Sequence, residues 1–435
     1  MKEHISDLTV CIWDYSSFPC LAEMFGKVTT KTYYYSPFET EYREAGKCCL
    51  GDGLEDIEGF ERLDDPLDPD VLDTIDLHVF PDIGFKGVQR HLRELGKPVW
   101  GSMGASDLEL YRTRFLKTLK ELDLPVVKSV TIKGLTNLSL YLKDVEDKWV
   151  KVNRYRENME TFHHIDYVHS QRELERLGQE FGGVKEQVVF VVQDTIDTDL
   201  EIGYDGWSVD GEYPDKSFQG YEAKNELYLG SWMDADDLPD VVKEVNTAFA
   251  PVLKEYGYRN MIATELRVRG DVTHFIDPTL RMAGQTQEHL MDTCTNLAEV
   301  IWHGANGELI SPEFRSKFAA EATMHYTDPS DQWRTLVIPP ENKEHIKLYG
   351  YCFADGAYQF PPRRNDELGV VCGEGDTIEE AINAVKDNFD ALGDEPLSIN
   401  FEGFADLLKT VHKAEDEGVE FTSQEVPEPE IILED

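Results

Sequence analysis

The chain has 435 residues, with 42 Lys+Arg against 85 Asp+Glu, a formal charge of −43. That balance excludes a nucleic-acid backbone or an anionic membrane surface as the main partner, because both need a basic face. Hydrophobic residues at 41% and aromatics at 11% are enough to build packed cores, so the acidity belongs to a folded surface and not to a disordered chain.

At roughly 150 residues per domain, the length suggests about three domains. No run approaches the ~20 apolar residues of a membrane span. The apolar run 8–13 lies between Asp7 and Asp14 and is too short for a secretory leader. The seven cysteines are scattered and odd in number, and the adjacent pair Cys48 and Cys49 lacks the usual zinc spacing. These features read as reduced thiols in a cytoplasmic compartment.

Taken in order, the first hundred residues alternate short apolar strands (8–13, 31–35, 75–82, 98–101) with polar connections and a helix over 87–95. That alternation predicts a parallel α/β layer. Ser106 and Glu109 then form a capping-box pattern, and Leu108, Tyr111, Phe115, Leu119 and Leu122 repeat at steps of three and four. One helix is expected, ended at Leu124-Pro125. Strands follow at 126–132 and 149–152, and the unbroken apolar run 188–192 predicts a central strand. Segments 202–209, 225–229, 263–269 and 272–277 read as an antiparallel set, the last two joined as a hairpin through Gly270-Asp271. A helix is expected over 285–301. A last module begins near 341, and its helix starts at a second capping box, Thr377 with Glu380. From 424 onward, prolines and acids predict a frayed tail.

The hairpin carries the chemistry. Glu265 and Asp277 fall on its two strands, where pairing can bring both carboxylates to one face. Two such groups repel unless a cation lies between them, and Mg²⁺ takes one or two carboxylates plus phosphate oxygens. Thr279 and Arg281 follow at alternate positions, on the same side of an extended segment. The plain alternative is a solvated acidic hairpin.

The block Glu265 … Phe275-Ile276-Asp277-Pro278-Thr279-Leu280-Arg281 resembles the metal-binding signature of ATP-grasp ligases, in which a Glu precedes a strand ending Glu-x-Asn-x-Arg. Biotin carboxylase and glycinamide ribonucleotide synthetase carry that signature. The stretch 368–381, with Gly375-Asp376-Thr377-Ile378-Glu379-Glu380-Ala381, resembles the strand–turn–helix of their C-terminal ends. The resemblance implies an α/β fold with α+β lobes. An N-terminal α/β pre-ATP-grasp domain (1–105) precedes an ATP-grasp domain (106–325, two lobes, hinge near 190–197). A small C-terminal α+β domain (326–415) and an acidic tail (416–435) follow.

It further implies that Glu265, Asp277 and Thr279 hold Mg²⁺ (or Mn²⁺), that Arg281 stabilises an acyl phosphate, and that ATP is bound by Arg112, Lys151, Arg154, Arg156, Gln193, Asp194, Ile196, Glu201 and Lys224. Among these, the backbone around Gln193–Ile196 would read adenine and Glu201 the ribose. Taken alone, Arg112 and Lys224 also read as solvated surface cations and Gln193 as a polar strand end. The chain departs from the pattern at Asp277 (for Glu), at Thr279 (for Asn), and in the glycine-free segment 153–164, where Arg154 and Arg156 would replace backbone donors by charge. His163-His164 in that segment reads either as a substrate contact or as loop polar residues. After Arg281 the chain reads Met282-Ala283-Gly284-Gln285, unlike glycinamide ribonucleotide synthetase.

The expected function is therefore an ATP- and Mg²⁺-dependent carboxylate–amine ligase acting on small molecules through an acyl phosphate, with a homodimer allowed. A non-catalytic nucleotide-binding or assembly protein and a phosphotransferase are the alternatives.

Overall fold

The computed structural model describes every residue except 1, 3, 38–48, 155–160, 199, 271, 328–331, 363–365, 394 and 422–435. The short apolar strands at the N-terminus pair side by side. Thr9–Trp13 (β1), Lys31–Tyr35 (β2), Glu61–Arg62 (β3), Leu77–Val79 (β4) and Val99–Trp100 (β5) form a parallel sheet in the order β3-β2-β1-β4-β5. Most of β1 is buried, which is why it reads as a continuous apolar run and not as an alternation.

A second sheet is antiparallel, built from Ser129–Lys133 (β6), Lys148–Val152 (β7), Thr161–His164 (β8) and Val189–Asp194 (β9) in the order β6-β9-β7-β8. The run expected to be a central strand, β9, is internal. Helices Leu135–Leu142 and Tyr167–Phe181 cover this sheet, and Leu138, Leu142, Val150, Leu177 and Phe190 form a core of their own.

The largest sheet has ten strands. Glu201–Ile202 (β10), Asp205–Val209 (β11), Lys216–Ala223 (β12), Leu227–Asp234 (β13), Arg259–Arg269 (β14) and Val272–Thr279 (β15) belong to it. It continues through Phe318–Tyr326 (β16), Ile346–Leu348 (β18), Glu367–Gly375 (β21) and Leu397–Ser398 (β22). Arg334–Leu336 (β17), Cys352–Ala354 (β19) and Ala357–Phe360 (β20) make a small separate sheet. The C-terminal residues join the large sheet: β21 pairs with β16, which pairs with β13.

Four expectations change. The helix expected from Ser106 is two helices, Ser106–Leu110 and Arg112–Glu121, separated by Tyr111 in extended conformation. Ser106 lies inside the first of them and makes no cap; the cap at Thr377 forms as expected. The helix expected over 285–301 is the pair Leu290–Thr293 and Leu297–Ala305, because Cys294 turns to extended backbone. The start of the tail is packed: Val419 and Phe421 are buried, with the Phe421 ring 5.3 Å from that of Tyr221. Cys352 is disulfide-bonded, so the seven cysteines are not all reduced thiols; Cys11, Cys20, Cys49, Cys294 and Cys372 are free, and Cys48 lies outside the described residues. No helix of the described residues is long and apolar enough to cross a membrane.

Two packing features fix the frame around the hairpin. Phe115, on helix Arg112–Glu121, meets Phe275 of β15 edge-on at 4.9 Å, and Phe275 meets Phe249 at 5.4 Å. This aromatic wedge sets the start of that helix against the hairpin. Farther away, Lys343 reaches from the C-terminal module to Glu23 on helix Pro19–Val28 at 2.6 Å and to Glu58 at 3.6 Å, all nearly excluded from water. Tyr351 and Tyr358 donate hydroxyls to the same two carboxylates. Removing one member of a buried ion pair leaves uncompensated charge. Lys343→Ala is therefore expected to cost about 3–5 kcal/mol, read as a lower urea midpoint; an unchanged midpoint would show that this cluster does not hold the two modules together.

Candidate active site

The hairpin β14–β15 pairs Glu265 directly with Asp277, and a register shift follows between Glu265 and Leu266. Such a bulge re-aims side chains locally. Both carboxylates open into one cavity of about 800 Å³, which lies between the four-stranded sheet and the ten-stranded sheet. β7 and β9 of the four-stranded sheet supply Trp149, Lys151, Gln193 and Asp194 to its wall; the segment after β9 supplies Ile196, and the large sheet supplies the opposite wall.

Asp277 is the meeting point. Arg112, the first residue of its helix, contacts Oδ1, and Lys151 donates to Oδ2 at 2.8 Å. Burial pushes the Asp277 carboxyl up, but the charges of Lys151 and Arg112 outweigh it and hold the group below the ordinary carboxylate range. Glu265 behaves oppositely. Burial, then the nearby charges of Glu201 and Asp277, push it up to about 7. Asp277 is thus balanced by two cations, whereas Glu265 has Arg267 only at 4.0 Å.

Arg281 is held by Glu109, which accepts from its Nε at 3.0 Å and from the Leu280 backbone N–H at 2.7 Å; Asp82 lies 3.6 Å away. Glu109 comes from the short helix Ser106–Leu110, and its role as a cap residue is replaced by this contact. Glu201 accepts from Arg267 Nε at 3.1 Å and Nη2 at 2.9 Å on one oxygen. Asp194 faces Lys148 at 3.3 Å.

Eleven of the thirteen residues singled out from the sequence line this one cavity: Arg112, Lys151, Gln193, Asp194, Ile196, Glu201, Lys224, Glu265, Asp277, Thr279 and Arg281. Arg154 is not brought to it; its side chain is exposed and its backbone bridges Tyr111. Arg156 lies outside the described residues. His164 is buried and bonded to Ser170 Oγ at 2.7 Å and to the Val145 carbonyl at 3.0 Å, an architectural role. His163 stacks on Trp149 with ring centres 4.8 Å apart. Sequence reasoning missed Trp149, although it stands two residues before Lys151 and so shares its face. It also missed Glu109, Asp205 and Tyr228, for which no local signal exists.

A hard divalent cation fits this donor set. Glu265 and Asp277 offer carboxylate oxygens across one rung, with the Thr279 hydroxyl two residues on. Among the described residues, no group of three or more His, Cys, Asp or Glu side chains could hold a metal ion alone. Two carboxylates completed by phosphate oxygens is the arrangement Mg²⁺ favours.

No protein-family model matches the chain, and no curated protein matches it in sequence. Solved structures do match. Phosphoribosylamine–glycine ligase from Thermotoga maritima superposes with a TM-score of 0.65 at 14% identity, covering 90% of this chain and 98% of that one. The biotin carboxylase domain of 2-oxoglutarate carboxylase from Hydrogenobacter thermophilus, solved as a dimer with MgADP, ADP and bicarbonate, gives 0.63 at 13% identity, covering 95% and 96%. N5-carboxyaminoimidazole ribonucleotide synthetase from Thermus thermophilus gives 0.55 at 14%, covering 89% and 99%. Together with the two-sheet cleft and its paired carboxylates, these matches show that the chain has the ATP-grasp fold, in the arrangement shared by these ligases and carboxylases.

Proposed function

We propose that this protein is an ATP- and Mg²⁺-dependent ligase that joins a small carboxylic acid to an amine through an acyl phosphate. The carrying observation is the convergence of Arg112, Lys151, Lys224 and Arg281 with the Glu265–Asp277 pair in one cleft between two sheets. In a chain of net charge −43, these four cations stand together where an anionic triphosphate would lie.

In this reading the backbone and side chains near Gln193, Asp194 and Ile196 hold the base, with Trp149 beside them. Glu201, steadied by Arg267, takes the ribose. Lys151, Lys224 and Arg112 bind phosphate oxygens, and Asp277 holds two of these cations in place beforehand. Glu265, Asp277 and Thr279 hold the divalent cation, whose contribution when bound is to neutralise phosphate charge. Arg281, fixed by Glu109, offers its guanidinium to the charge that develops as the acyl phosphate forms and breaks. Catalysis of this kind is positioning and charge stabilisation, with no nucleophilic side chain.

A second reading has one observation in its favour. Both oxygens of Asp277 already meet cations, so the carboxylate is largely neutralised by the protein itself. A nucleotide-binding protein without turnover would need no more than this. The two readings differ in what Mg²⁺ and Arg281 do.

Arg281→Ala is expected to lower the rate of ADP release by at least about a hundredfold while leaving nucleotide affinity nearly unchanged, since its contact lies at the reacting centre. ADP release would be followed against pooled amino acids and small amines, and equal rates would contradict the assignment. Glu265→Gln should abolish the Mg²⁺ dependence of ADP binding in titration calorimetry. It should also raise the melting temperature of the metal-free protein, because it removes a buried charge repelled by Glu201 and Asp277. A wild-type protein whose ADP affinity ignores Mg²⁺ would favour the second reading.

A further inference from the structure

The carboxylates on the cavity wall are not all equivalent. Asp277 has Arg112 and Lys151, Glu201 has Arg267, Glu109 has Arg281, and Asp194 has Lys148. Glu265 feels Lys151 and Lys224, and Glu222 feels Lys224. Asp205 alone among them has no cation; the one charged group acting on it is Glu222, which is also negative. Its Oδ2 accepts from Tyr228 at 3.0 Å, and burial pushes the carboxyl up to about 7. An uncompensated carboxyl in a cleft otherwise supplied with cations is a functional candidate on physical grounds.

Its position is set by the sheet register. Asp205 on β11 pairs with Ala263 on β14, and Ala263 pairs with Thr279 on β15. Directly paired residues share a face, so these three make one row across the cavity wall. The next row along the same face holds Glu265 and Asp277. Strand spacing of about 4.8 Å and a two-residue step of about 6.7 Å put the Asp205 backbone roughly 8 Å from that of Glu265. Between Asp205 and Thr279 stands only the methyl group of Ala263, which leaves room for a small ligand.

The neighbouring strands are built to keep Asp205 in this state. Gly220 on β12 and Gly230 on β13 pair across the sheet. A Cβ on Gly220 would fall 2.2 Å from the Tyr228 ring, and one on Gly230 would fall 2.5 Å from its hydroxyl. Two glycines thus let the Tyr228 ring lie along the sheet and reach Asp205. His289 stacks on the far side of Tyr228 with ring centres 5.4 Å apart, and burial lowers its pKa to about 3, so it brings no positive charge.

We propose that Asp205 binds the amine substrate of this site as its ammonium ion, in the gap over Ala263 beside Thr279. The assignment rests on the ligase reading above and narrows the second substrate to a compound that carries a basic nitrogen. The proton account closes. One ammonium proton passes to the Asp205 carboxylate. The freed nitrogen lone pair forms the C–N bond to the acyl carbon. The C–O bond to phosphate breaks with its electron pair on phosphate, which leaves with the second nitrogen proton, and the third stays on the amide.

The test uses the full chain loaded with MgADP and the chloride salts of ammonium, methylammonium, putrescine and glycine ethyl ester. Sodium chloride at equal ionic strength is the control, and bicarbonate and acetate are nitrogen-free comparators. At least one amine is expected to raise the melting temperature saturably where the controls do not. Asp205→Asn, which keeps the Tyr228 hydrogen bond, should weaken that amine at least about tenfold with MgADP affinity unchanged. Asp205→Glu should keep most of the response. Should Asp205→Asn fail to fold, Ala263→Val, which fills the gap and leaves the carboxylate, should give the same loss. MgADP binding with no response to any amine, or an amine response that both Asp205→Asn and Ala263→Val leave intact, overturns the Asp205 assignment and leaves the nucleotide reading standing. Failure of the wild-type protein to bind MgADP overturns both.

Discussion

The contacts at Asp277 hold the cleft in its shape. This single carboxylate on the large sheet meets Lys151 from the four-stranded sheet and Arg112 from the start of a helix, so three parts of the chain that are far apart in sequence converge on two oxygen atoms. A half-buried ion pair of this kind adds little net stability, since desolvation and solvent screening offset most of the attraction, but its loss leaves the partner charges unpaired. Its larger consequence is geometric. Lys151 and Arg112 are held at the cleft by the protein itself, and positioning done in advance is what the proposed acyl transfer would require.

Charge is arranged over two length scales. The molecule as a whole is strongly acidic, which favours solubility and works against anionic ligands at its surface. Inside the cleft the balance is reversed locally at Arg112, Lys151 and Arg281, then reversed again at Glu265 and Asp205. A ligand with both signs, a metal-bound triphosphate beside an ammonium group, matches that sequence of charges along the wall. Of the departures from the ATP-grasp signature, Asp277 for Glu shortens a carboxylate by one methylene and Thr279 for Asn replaces an amide oxygen by a hydroxyl, so both positions keep an oxygen donor.

The candidate site is legible in the sequence where its residues follow a strand. Glu265, Asp277, Thr279 and Arg281 share one hairpin and its extension, and alternation alone puts them on one side. Lys151 and Gln193 are likewise marked by the apolar strands that carry them. Legibility failed where two patterns look alike but tertiary contacts choose between them. Ser106 with Glu109 and Thr377 with Glu380 are the same capping box on paper. Only the second caps a helix, because Glu109 is drawn to Arg281 and to the Leu280 N–H, more than 170 residues away. Asp205 was invisible for a related reason: its row joins three strands through pairings that no local spacing encodes. The joining of the C-terminal module to the large sheet is hidden in the same way: the stretch 368–381 reads as a strand, turn and helix, but nothing in it names the strand it pairs with.

A structure of the protein with Mg²⁺ and a non-hydrolysable ATP analogue tests the central claim most directly. The account predicts electron density for the ion within coordination distance of Glu265 and Asp277, with the terminal phosphates against Lys151 and Arg281 and the base near Gln193–Ile196. Nucleotide bound elsewhere, or an empty cleft with the Asp277 contacts to Arg112 and Lys151 undisturbed at saturating analogue, would contradict it.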